Sequence, residues 1–197
     1  MAKIKAYMQS DKVSLSALSK VGFLTKEHLK ELGMSERRLN NFLKNDYIAK
    51  KQYFNTDTRK HEYCYSLTKE GKNFYDQREQ TRHHYYQSQS PQHDLALADK
   101  YMSLNQLSRD SWRTEADIRQ DFKDRLDQLH IQDPSQARQI EQDYQNRTIS
   151  AVDAVYTNEQ GITVAYEVVT GSYGQAEIKA KIEFATVMGL TYESIKV

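Results

Sequence analysis

A single cysteine, Cys64, leaves the chain without the means for an intramolecular disulfide or a thiolate-rich zinc site. Nor does any stretch approach about 18 consecutive apolar residues, the length a membrane span needs. The opening "MAKIKAYMQSDKV" lacks the apolar centre of a secretory signal, so a cytoplasmic protein without membrane contact is expected. The absence of a glycine-rich phosphate loop and of a G-x-S-x-G elbow removes support for nucleotide hydrolysis and serine chemistry. Hydrophobicity is low as well, with a mean hydropathy of −0.86. The 197 residues are still 38% hydrophobic and include 14 Tyr, enough for one large or two small folded domains.

Charge is unevenly placed. Residues 1–82 carry 17 Lys and Arg against 10 Asp and Glu, a surplus of seven, whereas the remainder carries 11 against 17, a deficit of six. A basic amino-terminal part suits a polyanionic partner, provided its cations fall on a suitable scaffold.

The local patterns supply one. "VSLSALSKVGFL" spaces Val13, Leu15, Leu18, Val21 and Leu24 at a helical period and meets a stop at Gly22. "TKEHLKELG" follows with Thr25 as cap, and "MSERRLNNFLKNDYI" with Ser35 as cap and Leu39, Phe42 and Leu43 as an apolar stripe. "YIAKKQYFN" and "HEYCYSLT" then read as the two strands of a hairpin around "TDTRK", and Thr68 caps a further helix. Three tight helices, a hairpin and a helix make a winged helix-turn-helix. The run "YCYSLTKEG" resembles the bacterial winged-helix signature Y-x-L-T-x-x-G, carried here by Tyr65, Leu67, Thr68 and Gly71.

In such a fold the third helix enters the major groove. Arg37, Arg38, Asn40, Asn41 and Lys44 are its polar residues: arginine suits guanine, asparagine suits adenine and lysine suits phosphate. Lys50, Lys51, Arg59 and Lys60 sit on the hairpin, where they would grip flanking backbone or a narrow minor groove. Double-stranded DNA is the expected partner, read by a homodimer if two half-sites are bound. Tyr53, Phe54, Tyr63 and Tyr65 read as packing of the hairpin and core.

"QTRHHYYQSQSPQH" is polar and broken by Pro91, a linker over 83–94. His83, His84, His93 and Asp94 lack the further ligands a metal site needs, and a histidine run in a linker is expected to face solvent. Helical periods follow with Leu95, Leu97, Tyr101 and Leu104, then with Ile118, Phe122, Leu126 and Leu129, then from Pro134. Two alternating runs, joined at "TNEQG", hold Asp153 and Glu167. "YGQAEIKAKIEFATVMG" is an amphipathic helix expected to turn Ile178, Ile182, Phe184 and Val187 to the core, and "LTYESIKV" closes as a strand.

Helix, strand pair, helix and strand, with Glu115 early in the first helix and Asp153 and Glu167 on the strands, resembles the PD-(D/E)XK nuclease core. That resemblance implies Glu115, Asp153 and Glu167 as ligands of Mg²⁺, which activates water and offsets phosphate charge, and a lysine that stabilises the transition state. Val152 stands in place of the motif's proline and Val169 in place of its lysine, so Lys179 or Lys181 of the next helix would complete the catalytic set. If neither does, the site is weak or inert. On a bland reading Glu115 merely favours the helix dipole and the two strand acids face water.

The succession of a winged helix, "HDL", "SWRTEADIR", "AVDAVYTNEQGITVAYEVVT" and a lysine-bearing helix is similar to the replication-relaxation family of plasmids and integrative elements. It rests on His93, Trp112, Glu115, Asp153, Ala154, Glu167 and the lysines. The expected fold is α+β: a winged helix over 1–82, a linker over 83–94, and a small restriction-endonuclease-like α/β domain over 95–197. The resemblance implies a DNA-binding protein of a mobile element serving replication, transfer or processing, with replication or transfer proteins as partners. The other open reading is a transcriptional or copy-number regulator whose second domain dimerises or binds a partner.

Overall fold

The computed structural model describes residues 4, 6–56, 58–80, 82, 84–86 and 90–197; part of the expected linker, including His83, lies outside them. The fold is mixed α+β and divides into two compact units, Met1–Ser103 and Leu104–Val197.

The first unit opens with three helices, α1 (Gln9–Val21), α2 (Lys26–Glu31) and α3 (Glu36–Lys44). Polar side chains start them where the sequence places caps: the hydroxyl of Thr25 accepts from the His28 N–H at 3.1 Å and that of Ser35 from the Arg38 N–H at 3.2 Å. An antiparallel hairpin follows, β1 (Ile48–Asn55) and β2 (Lys60–Leu67), in register from Ile48 opposite Leu67 to Asn55 opposite Lys60. Leu24, between α1 and α2, pairs with Tyr65 through two backbone hydrogen bonds of 3.0 and 2.8 Å, adding a one-residue third rung to the hairpin.

The L-T-x-x-G run that leads into α4 (Lys69–Glu79) has a physical reason. The Thr68 hydroxyl caps the helix by accepting from the Gly71 N–H at 2.9 Å, and it also donates to the Asp46 carbonyl. A Cβ at position 71 would lie 1.8 Å from the Tyr47 carbonyl oxygen, so glycine alone allows this approach of helix and chain. Tyr47 and Phe74 stack nearby at 4.5 Å, sealing the same corner.

Helix α5 (Pro91–Ser103) belongs to this first unit, although the sequence reads as if it opened the second domain. Its Leu95 packs with Phe23, Cys64 and Tyr53. Asp94 is buried against Gly22, where a Cβ would come within 2.6 Å of its carboxylate. His93, expected to face solvent, is 1% exposed, with Nδ1 3.2 Å from Asp94 and 3.3 Å from the Tyr86 hydroxyl. The linker reading fails at this point because the residues around Pro91 begin a helix with an apolar face rather than a solvated tail.

The second unit contains α6 (Gln106–Asp110), β3 (Arg113–Thr114), α7 (Glu115–Gln132), α8 (Pro134–Gln145), β4 (Ala154–Thr157), β5 (Thr163–Val169), α9 (Gln175–Met188) and β6 (Thr191–Lys196). The sheet order is β3-β4-β5-β6. The first three strands are mutually antiparallel, and β6 joins β5 in parallel after the α9 crossover that a parallel connection requires. Ile118 and Phe122 of α7 and Phe184 and Ala185 of α9 pack with Ala151, Val155 and Ala165. Asp153 lies immediately before β4 and not on the expected strand, whereas Glu167 on β5 shares its face with Ala165.

Helix α9 buries Phe184 and packs Val187 on the core as expected, but is rotated away from the two isoleucines. Ile182 is 42% exposed and Ile178 half-buried, while Ala180, Phe184 and Ala185 make the buried stripe. The small alanines let the helix lie close to the sheet, and the rotation brings Lys181 inward.

Candidate functional site

Asp153 and Glu167 are buried, at 2% and 0% exposure, so they are not strand-edge charges facing water. Each carboxylate accepts a backbone N–H from the other's segment. The Asp153 N–H donates to Glu167 Oε2 at 3.0 Å, and the Val168 N–H donates to Asp153 Oδ2 at 2.9 Å. Glu167 Oε1 accepts from the Tyr173 hydroxyl at 3.0 Å and lies 2.9 Å from Lys181 Nζ, which also donates to the Ala151 carbonyl at 2.6 Å.

Of the two candidate lysines, the structure therefore brings Lys181 to the carboxylates and leaves Lys179 exposed. Residues two apart on a helix face different directions, so the two could not both arrive. Burial, and then the negative charge of Asp153, push Glu167 up to about 7, against the opposing pull of Lys181 and its hydrogen bonds. Tyr173 is pushed above its ordinary range by burial and by Glu167 and Asp153, with a smaller contribution from Glu115.

Glu115 begins α7, with Thr114 as its cap. Its carboxylate is committed to Arg119 one turn on, with Arg119 Nε at 3.1 Å, and Arg119 in turn donates to the Tyr144 hydroxyl at 2.7 Å. Arg119, Tyr144, Arg147, Tyr173 and Lys181 line a cleft of about 480 Å³. Sequence reasoning missed Arg119, Arg147 and Tyr173; only the spacing of Glu115 and Arg119, four residues apart in a helix, offered a signal.

Magnesium of the kind the resemblance implies needs several oxygens free to converge on one point. Glu167 has both oxygens engaged by protein donors, Asp153 has one engaged by Val168, and Glu115 is held by an arginine. Among the described residues no group of three His, Cys, Asp or Glu side chains is arranged to hold a metal ion. This donor set, with an ammonium already seated in it, does not fit a divalent cation.

The first unit presents a second candidate surface. Arg37, Asn40 and Lys44 are exposed on α3 at positions i, i+3 and i+7, one face of the helix, with Asn41 half-buried beside them. Lys50, Lys51, Arg59 and Lys60 are exposed on the hairpin. Lys50 Nζ stands 3.7 Å from the centre of the Tyr63 ring, and Tyr63 and Phe54 are themselves about half exposed.

Arg38 departs from this surface. Its guanidinium turns back to Asp11 of α1, which is fully buried, with Nε 2.8 Å from Oδ1 and a second contact from Nη2 to Oδ2. It also donates to the Ala6 carbonyl at 2.6 Å and lies over the Phe42 ring. A residue placed among base-reading candidates is instead held by a buried partner 27 positions away.

No helix among the described residues is long and apolar enough to cross a membrane. A model of the family described as Replication-relaxation matches residues 15–183. No curated protein and no solved structure matches the chain.

Proposed function

The chain belongs to the replication-relaxation family, and on that premise we propose that it binds duplex DNA in the replication of a mobile genetic element. The first unit acts as a winged helix: α3 enters the major groove and the β1–β2 hairpin follows the flanking backbone. The second unit is a nuclease-like core whose carboxylates hold the fold together and do not cut.

One observation carries the DNA reading. Among the described residues Arg37, Lys44, Lys50, Lys51, Arg59 and Lys60 are all exposed on α3 and the adjoining hairpin, and none is in an ion pair. Exposed cations outside any ion pair on two neighbouring elements are what phosphate contact requires, and the exposed Arg37 and Asn40 have the chemistry to read guanine and adenine.

Fluorescence anisotropy on duplex DNA across a salt series tests it. Binding should weaken steeply with salt, and Lys44→Ala with Lys60→Ala should flatten the log–log slope by roughly 2, at about 0.9 for each phosphate the protein no longer neutralises. Arg37→Ala should cost about 1–3 kcal/mol on the preferred sequence and less elsewhere. A protein with no duplex affinity even at low salt is not this one. The engaged state of Asp153 and Glu167 favours the non-cutting role of the second unit, and supercoiled plasmid incubated with Mg²⁺ should remain unnicked.

A further inference from the structure

The resemblance to a metal-dependent nuclease and the chemistry of the second unit disagree, and the disagreement centres on one side chain. Lys181 Nζ lies 2.6 Å from a main-chain carbonyl, that of Ala151, and 2.9 Å from the Oε1 of Glu167. Carboxylate and carbonyl oxygens are the ligands a hard divalent ion takes. The ammonium is nearly enclosed, with the lysine side chain 12% exposed and Glu167 fully buried. The remaining Glu167 contacts come from donors, the Tyr173 hydroxyl and the Asp153 N–H, which satisfy the carboxylate without a metal.

We propose that Lys181 is the resident cation of this core: its ammonium fills the place of a divalent ion between β5 and the residues before β4, and excludes one from it. The position is built for positive charge, because two acids, Asp153 and Glu167, are buried side by side and the Lys181 ammonium lies against Glu167. A fixed ammonium supplies that charge without being exchanged, diluted or chelated, and a second cation beside it would meet like charge at close range. The sequence departs from the nuclease motif in the same sense. Val169 stands where the motif's lysine would be, and the lysine that replaces it arrives from α9 to sit on the acid itself.

This inference deepens the reading of the second unit as a nuclease-like core, and its test uses no DNA, so its outcome is separate from that of DNA binding by the first unit. Mn²⁺ is titrated into the full-length protein and the free ion is followed by electron paramagnetic resonance. The titration is run at about pH 8 and repeated at about pH 9, because Lys181 holds Glu167 down and its removal shifts the carboxyl further up. Wild type should show no saturable Mn²⁺ binding. Lys181→Ala should take up one equivalent, and Lys181→Ala combined with Glu167→Gln should lose it.

Circular dichroism establishes that each variant is folded. Should Lys181→Ala not fold, Lys181→Gln, which keeps the chain length and replaces the ammonium by a neutral amide, carries the same test. A folded Lys181 variant that takes up no Mn²⁺ overturns the proposal, as does wild-type binding of one equivalent that Glu167→Gln abolishes. If neither variant folds, the wild-type titration decides by that same criterion: one equivalent of binding that Glu167→Gln abolishes overturns the proposal, and its absence supports it.

Discussion

Removal of the Arg38 guanidinium leaves Asp11, at 0% exposure, as a buried charge without its arginine. Breaking a buried pair from one side costs about 3–5 kcal/mol, so Arg38→Ala should lower the urea midpoint markedly. Arg37→Ala, one residue earlier and exposed, should leave stability within about 0.5 kcal/mol of wild type. Equal effects of the two substitutions on stability would contradict the Asp11 pairing. Glu167 carries a different kind of signature. It titrates near 7 in the fold against an ordinary 4.5, so between those values the folded protein keeps a proton the unfolded chain has released. Its contribution to stability is complete below 4.5 and is lost as pH rises through 7. Measured by thermal unfolding, the Tm advantage of wild type over Glu167→Gln should therefore shrink as pH is raised across that window, whatever the absolute stability of the variant. A difference that stays flat or grows with pH would show that Glu167 is not raised.

Element by element, what the sequence made legible was what neighbours dictate. Thr25, Ser35 and Thr68 announce helix starts because a cap reaches only three residues along the chain, and each hydroxyl is found on the expected N–H. The turn "TNEQG" and the start at Pro134 are equally local. Helix α6 and strand β3, at five and two residues, are too short for any period to show. The face of α9 was right at Phe184 and Val187 and wrong at Ile178 and Ile182, which look more apolar than Ala180 although close packing on a sheet favours the smaller side chain. Assignment of α5 to the first unit depends on Leu95 meeting Phe23 and Cys64, residues more than thirty positions distant in sequence. That element has a measurable consequence. Burial pushes the Cys64 thiol up to about 11, so in the folded protein it should react with an aromatic disulfide reagent only as fast as the fold opens. A fragment of residues 1–103 should protect it, whereas a fragment of residues 1–82, without α5, should react many times faster. Equal protection in both fragments would mean that α5 does not cover Cys64.

At the scale of the whole molecule, the sequence revealed the class of fold, the charge asymmetry and the family, because these are sums over many residues. Of the two pairings that decide the candidate sites, Asp11 with Arg38, 27 positions apart, was hidden, whereas for Glu167 the sequence offered Lys179 or Lys181 and packing chose Lys181. The first of them limits how much the proposed DNA reader can know. With Arg38 drawn into the protein, α3 offers the groove Arg37, Asn40 and Lys44 on one exposed face. With Lys44 on phosphate, Arg37 and Asn40 distinguish roughly two base pairs, a word that recurs about once in 16 by chance. No genome is searched successfully with so short a word. On the proposed reading the address must be spelled by repetition, through several copies of the word at fixed spacing read by several copies of the chain, and the replication site would be recognised by its punctuation more than by its vocabulary.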